Sequence, residues 1–158
     1  MSTIVGTNIE VTNIKFDSDT TSMIISNTGQ ITAQGEGTAT TNLQQGLAKS
    51  WMNLNGTGSI AIRDSFNIGS LTDNGTGDYT VPLSNPMSDA NYKVEVSGTD
   101  AVTGAASIMN RKVTLYANTA PTSSQYRLAS GYNYYTASAF YDNPHIFTDI
   151  HGDLALVR

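Results

Sequence analysis

Hydrophobic residues recur at every second position along most of the chain, which is the pattern of half-buried β-strands. The alternation is clear at Tyr92, Val94 and Val96, and again at Ile146, Thr148 and Ile150. Clusters of Asn, Asp, Gly and Pro separate these runs at short intervals. Strand-sized units with frequent turn signals predict a mainly β fold, with an antiparallel β-sandwich or small barrel over residues 53–158.

Two local departures refine this pattern. The apolar face of one predicted strand consists of Ile60, Ile62, Phe66 and Ile68. Asp64 interrupts that face, which predicts a β-bulge or a buried partner for its carboxylate. Further along, the segment 73–78 predicts a tight hairpin turn, with positive φ at Gly75 and Gly77 and a return strand that begins at Tyr79.

The first 38 residues carry only short apolar alternations, broken by Thr, Ser, Asp and Gly. They predict one strand at Met23–Ile25 and another that begins near Ile31. A few short strands with so few apolar residues cannot form a hydrophobic core on their own. We therefore expect residues 1–38 to form an extended N-terminal docking arm with short strands that packs on a partner chain.

Between arm and sandwich, Leu43, Leu47 and Trp51 recur every four residues. This spacing predicts a short helix and linker over residues 39–52, capped by Thr41 or Asn42. Gly46 in the middle costs about 1 kcal/mol relative to Ala, so the helix needs support from other parts of the protein. We expect the three apolar side chains to pack the joint or an oligomer interface.

The amino-acid composition excludes several classes of function. Charged residues make up 13% of the chain and the net charge is −5, so no basic stripe exists for nucleic acid. There is no cysteine, which excludes disulfides and thiol chemistry. No apolar run approaches about 18 residues, so we expect no membrane insertion, no signal peptide and synthesis in a cytoplasm.

Residues 48–98 carry an ordered series of short elements. The segment 48–58 reads AKSWMNLNGTG, the centre 62–67 reads IRDSFN, the turn 73–80 reads DNGTGDYT, and 87–92 reads MSDANY. This series resembles a segment common in tail-fibre and related virion fibre proteins of tailed bacteriophages, including phages of marine bacteria and cyanobacteria. The resemblance covers about a third of the chain.

The resemblance implies a structural virion protein, a short tail-fibre or appendage subunit whose sandwich forms a homotrimer. Residues 1–38 would then bind other virion proteins, and the distal part would contribute to host attachment through a surface glycan or an outer-membrane protein. An alternative is a capsid decoration or tail-assembly protein that binds only other virion proteins. A stand-alone carbohydrate-binding module is a third hypothesis.

Aromatic residues cluster near the C-terminal end of the chain, and flat rings with polar edges suit both sugars and protein surfaces. The candidate residues for receptor or partner contact are Tyr126, Arg127, Tyr132, Tyr134, Tyr135 and Tyr141, with Phe140 and Arg111 nearby. Packing inside the sandwich and burial in a trimer are the alternative roles of these aromatic residues.

The sequence offers few candidate residues for catalysis or metal binding. His145 and His151 lie six positions apart, which is not a recurring ligand interval, so we expect no metal site there. Asp73 and Asp78 resemble a calcium loop, but the bidentate Glu of that motif is missing, and a turn is the preferred interpretation. No nucleophile elbow, zinc motif or phosphate loop is present. We expect a non-enzymatic protein without a cofactor.

Overall fold

The computed structural model describes residues 13–15, 21–27, 29–34, 39–99, 111–134 and 137–155. The chain divides into two compact units, Met1–Leu47 and Ala48–Arg158. Antiparallel strands dominate both units, and the prediction of a mainly β protein with a sandwich and one short helix is confirmed. Among the described residues, no helix is long and apolar enough to cross a membrane.

The first unit contains a four-stranded antiparallel sheet in chain order. Its strands are β1 (Asn13–Lys15), β2 (Thr21–Ile25), β3 (Ile31–Gln34) and β4 (Thr40–Asn42). The predicted strands at Met23–Ile25 and from Ile31 are confirmed, and they pair with each other at Ile25 and Ile31. The described part of the predicted arm is thus a small sheet.

The helix is shorter than the sequence predicts. α1 spans only Leu43–Gly46, and the Asn42 side chain caps it by accepting a hydrogen bond from the Gln45 amide at 3.2 Å. Beyond Gly46 the chain becomes extended, because β5 (Ser50–Asn55) pairs with a strand near the C-terminus. A short helix is thus present within residues 39–52, but Leu43, Leu47 and Trp51 share no helix face, and the predicted helical spacing of these three residues is wrong.

Two sheets build the second unit. The four-stranded sheet has the order β6 (Ala61–Phe66), β5, β13 (His145–His151) and β9 (Lys93–Thr99). The five-stranded sheet has the order β10 (Arg111–Leu115), β11 (Gln125–Tyr134), β8 (Asp78–Pro82) and β7 (Thr72–Gly75), and β12 (Ala137–Phe140) pairs with the far half of β11.

The core lies between these two sheets, and each sheet contributes alternate residues. From the four-stranded sheet come Met52, Leu54, Ile146 and Ile150, and from the five-stranded sheet come Tyr79, Val81, Tyr126 and Leu128. The hydroxyls of Tyr126 and Thr148 lie 2.8 Å apart across the interface and join the two sheets by a buried hydrogen bond. The alternation predicted from the sequence is thus the alternation of a sandwich core.

The predicted bulge at Asp64 is present. The pairing of β5 with β6 shifts between Asn53 and Leu54, whose partners are Asp64 and Ile62, so Arg63 is the additional residue. This shift exchanges the two faces of β6. Phe66 consequently lies opposite Trp51 on the outer face and not with Ile62 in the core, which corrects its predicted placement.

The predicted hairpin at 73–78 is also confirmed, with φ of 128° at Gly75 and 65° at Gly77. Asp142 holds the turn against the sandwich, because one of its carboxylate oxygens accepts hydrogen bonds from the Gly77 amide and the Tyr79 hydroxyl, both at 2.6 Å. Burial first, and then the bond to Asp142, raise the pKa of Tyr79 well above its ordinary value.

Gly77 and Gly58 provide a matched test of this close packing, since φ is 65° at both. A Cβ at residue 77 would lie 2.1 Å from the Ser130 carbonyl oxygen, whereas a Cβ at residue 58 meets nothing within 4 Å. We expect Gly58→Ala to lower the free energy of unfolding by about 1 kcal/mol, and Gly77→Ala to lower it by about 3 kcal/mol or more. Urea denaturation measures both, and equal losses would contradict the proposed close approach.

Candidate binding surfaces on the two outer faces

A groove runs along the outer face of the five-stranded sheet, where β10, β11 and β12 lie side by side. We call it the Lys112 groove, and it is lined by Lys112, Thr114, Ala129, Ser130, Gly131, Tyr132, Ser138, Ala139 and Phe140. Strand pairing explains its shape, because Lys112 lies opposite Gly131, and Gly131 lies opposite Phe140. Small residues in the middle strand thus form a floor between larger side chains.

Four side chains, each in contact with the next, border this groove. The Arg127 guanidinium donates two hydrogen bonds to the Asp78 carboxylate, at 2.7 and 2.6 Å, and lies 4.0 Å above the centre of the Tyr116 ring. The Tyr116 and Phe140 rings stack with centroids 5.7 Å apart and planes 6° from parallel. The ion pair therefore fixes the arginine, and the arginine and the tyrosine together hold the Phe140 ring.

The charge on Asp78 is stabilised by this arrangement. Its hydrogen bond to Arg127 is the main cause that lowers the pKa of Asp78 below its usual value, and burial opposes that effect. A second partner is Asn74, whose side-chain amide donates to the same carboxylate at 3.3 Å. Asp73 accepts from the Gly75 amide at 2.9 Å, so these residues build a turn.

The outer face of the four-stranded sheet carries a second surface. We call it the Trp51 face, and it comprises Trp51, Asn53, Phe66, Glu95, Phe147 and Asp149. Trp51 and Phe147 are each 38% exposed and Phe66 is 52% exposed. Cross-strand pairs place Trp51 between Phe66 and Asp149, and place Phe147 between Asn53 and Ser97. Trp51 and Phe66 are therefore adjacent on the face, and polar side chains surround the three aromatic rings.

Acidic and basic residues flank the aromatic rings of the Trp51 face in two rows. Glu95 lies opposite Asp149, and Lys93 lies opposite His151. Along β9, Lys93 forms an ion pair with Glu95, and along β13, a His151 nitrogen lies 3.5 Å from an Asp149 oxygen. The hydrogen bond from Lys93 is the main cause that lowers the pKa of Glu95. One edge of the face thus presents an acidic row beside a basic row.

The structure places the predicted contact residues in different environments. Tyr126 is 1% exposed, so the prediction that it contacts a receptor or partner is wrong: its ring belongs to the core. Arg127 is bound by Asp78, and Tyr132 lines the Lys112 groove. Tyr141 is half-buried, and its amide donates to the Ser130 carbonyl.

Other predicted positions are only partly covered by the described residues. Tyr134 ends β11, and Tyr135 lies outside the described residues. Of the predicted joint residues, Leu43 is half-buried and Leu47 is 62% exposed in the first unit, whereas Trp51 belongs to the second. These three residues are therefore not brought together by a common helix.

The two histidines lie on one strand. His145 and His151 are at opposite ends of β13 on its outer face, about 20 Å apart at the rise of an extended chain. That separation prevents them from sharing a metal ion. Among the residues that the structure describes, no three His, Cys, Asp or Glu side chains come together in a way that could hold a metal.

Sequence reasoning missed Phe66 and Phe147 as surface residues. For Phe147 the signal was present, because Ile146, Thr148 and Ile150 were assigned inward and their odd-numbered neighbours must then point outward. For Phe66 the signal was the predicted bulge, which changes the parity of the residues after it. The stacking of Tyr116 on Phe140 joins residues distant in the chain, and no local pattern indicates it.

Comparison with family models, with curated proteins and with solved structures gave no match for this chain.

The Asp78–Arg127 pair makes a pH-dependent contribution to stability. Because folding lowers the pKa of Asp78, this contribution is complete above the unfolded value of 3.8 and is lost as the pH falls through the folded value. We expect Asp78→Asn to lower the free energy of unfolding by about 1 to 2 kcal/mol at pH 7, and this difference to shrink below pH 3.8.

Urea denaturation at pH 7, 4.5 and 2.5 measures that difference. Asp64→Asn is the control, since Asp64 is exposed and accepts from the amide of Ser65, a bond that an asparagine oxygen retains. A loss for Asp78→Asn that is equally large at every pH would contradict the role given to the carboxylate charge.

Proposed function

We propose that this chain is a structural virion protein of a tailed phage, a short tail-fibre or appendage subunit that docks to the particle and contributes to host attachment. The resemblance of residues 48–98 to virion fibre proteins supports the class of protein. The observation that carries the proposal is the Trp51 face, where three aromatic side chains are exposed on the outer surface of the sandwich, away from its core.

Exposed aromatic side chains on one sheet face favour a protein interface. Trp51 and Phe66 are direct cross-strand partners, and Phe147 lies on the strand next to Trp51. Contiguous apolar surface of this kind is typical of interaction sites, and aromatic residues dominate the energy of interfaces that bury them. The core between the sheets is filled by other residues, so the aromatic rings of this face are not needed inside the sandwich.

A further copy of the chain is the occupant we infer for this face. Its acidic row, Glu95 and Asp149, lies beside its basic row, Lys93 and His151. Because the two rows are different parts of the face, the acidic row of one copy can contact the basic row of the next copy. Such a contact between unlike patches is heterologous, and repeated around a threefold axis it closes into a trimer.

The attachment role and the docking role are assigned to other parts of the chain. In this proposal, residues 1–38 bind a neighbouring virion protein, and the face opposite the Trp51 face stays available to a host surface. Three copies of one weak site on a trimer raise the overall affinity for a multivalent host surface. A capsid decoration or assembly protein would use the same assembly but bind no host surface.

Position on the particle separates these two functions. Antibody against the chain, visualised by immunogold on purified virions, is expected at the tail tip or an appendage. Label confined to the head or the tail shaft would favour the decoration or assembly function, and particles without label would overturn the virion assignment.

Native mass spectrometry of the full chain tests the assembly. We expect a trimer at micromolar concentration and expect Trp51→Ser combined with Phe147→Ser to weaken the subunit interaction at least about a hundredfold, from two lost aromatic contacts worth about 1.4 kcal/mol or more each. Phe140→Ser is the matched control, because Phe140 is 49% exposed on the opposite sheet. A monomeric wild type would contradict the assembly, and a doubly substituted chain that remains trimeric would contradict the Trp51 face as its interface.

A further inference from the structure

We propose that the Lys112 groove binds a single acidic sugar, a pyranose ring that carries a carboxylate. The inference rests on the attachment part of the proposed function for its biological meaning, but the groove is argued from its own geometry. Its features are a floor of small side chains, an aromatic wall held in place, hydroxyl groups and one cation.

The floor allows a ring to approach the sheet closely. Ala129 and Gly131 are outward-facing neighbours on β11, and they lie opposite Thr114 and Lys112 on β10. At Gly131 even a Cβ would lie 2.5 Å from the carbonyl oxygen of Ala139, so the close pairing of β11 and β12 requires glycine there. The same requirement keeps the middle of the groove free of a larger side chain.

The aromatic wall is fixed before any ligand arrives. Phe140 is 49% exposed, yet its ring is stacked on Tyr116, which in turn lies against the Arg127 guanidinium held by Asp78. An exposed ring restrained in this way loses little conformational entropy on binding. The apolar C–H face of a sugar ring is a suitable partner for such an aromatic surface.

Charge selects the ligand. Among the described residues that line the groove, Lys112 is the charged one, and no carboxylate is among them. The chain as a whole carries a net charge of −5, so its general field repels anions. Binding of an anion here therefore depends on the local Lys112 ammonium group, while the Thr114 and Ser138 hydroxyls can exchange hydrogen bonds with sugar hydroxyls.

The size of the groove limits the ligand to about one ring. Its volume is about 260 Å³, just below the range of about 300–1,000 Å³ typical of sites for drug-sized ligands. A monosaccharide fits this space, and longer glycans would extend beyond it. For a ligand of this size in an open site we expect a Kd of about 1 mM.

Ligand-observed NMR titration of the full chain with D-glucuronate and with D-glucose tests the proposal. We expect saturable binding of D-glucuronate that is about fivefold or more tighter than that of D-glucose. Lys112→Met is expected to remove this preference, and Phe140→Ala to weaken both sugars. Arg63→Met is the matched control, since Arg63 is an exposed cation on the opposite sheet outside both proposed binding sets, and it is expected to leave both affinities unchanged.

The inference would be overturned by no saturable binding of D-glucuronate by the wild type, by an unchanged preference in Lys112→Met, or by an equal loss of preference in Arg63→Met. Ala129→Leu, which fills the floor without touching the charge, is expected to abolish binding of both sugars, and retained binding would also contradict the site. The mass of the assembly in the same samples distinguishes this inference from the proposed function: a trimer that ignores D-glucuronate contradicts only the groove, and a monomer that binds it contradicts only the assembly.

Discussion

The strict alternation of side chains along a β-strand is the constraint on which the rest of this structure depends. In the central strands β5, β8 and β13 every second residue faces the shared core, so the residues between them face outward whatever their chemistry. Tyr126 and Thr148 face inward from opposite sheets and meet in a buried hydrogen bond. Trp51 and Phe147 are outward neighbours of core residues and contribute nothing to that core.

The two outer faces differ in how their aromatic rings are held. On the five-stranded sheet, the Phe140 ring stacks on Tyr116, and Tyr116 lies against an arginine that is ion-paired with a carboxylate. These contacts restrain the Phe140 ring beside a groove. On the four-stranded sheet, Trp51 and Phe66 face outward as direct cross-strand partners, with charged rows beside them. A restrained ring beside a cation suits a small polar ligand, whereas a broad aromatic face with both charge signs suits another protein surface.

Most of the sandwich could be predicted from period-two alternation and turn residues, because both are local properties of the chain. The hairpin at Gly75 and Gly77 and the bulge near Asp64 are examples, since each depends on a few adjacent residues. The helix prediction failed at Trp51, where an i, i+4 repeat coincided with a strand whose partner, Asp149, lies 98 positions further along the chain. A short window of sequence contains no information about pairing with a strand that is distant in the chain.

The surfaces were harder to predict than the core for the same reason. Tyr126 and Tyr132 belong to one aromatic cluster in the sequence, yet Tyr126 is buried in the core and Tyr132 is half-buried. The composition of the cluster indicated aromatic contacts, but the burial of each ring depends on the strand that pairs beside it, β8 at Tyr126 and β12 at Tyr132. The Phe140 wall depends on Tyr116 and Arg127, which reach it only through the pairing of three strands.

The chain contains a single tryptophan, and it lies at the centre of the face that we assign to assembly. Its fluorescence, measured with acrylamide quenching across a dilution series from tens of micromolar to nanomolar protein, reports directly on that face. The account predicts a blue-shifted, weakly quenched Trp51 at high concentration, with red-shifted emission and stronger quenching as the assembly dissociates. An assembly of unchanged mass in which Trp51 is quenched as strongly as in the separated chains would contradict it.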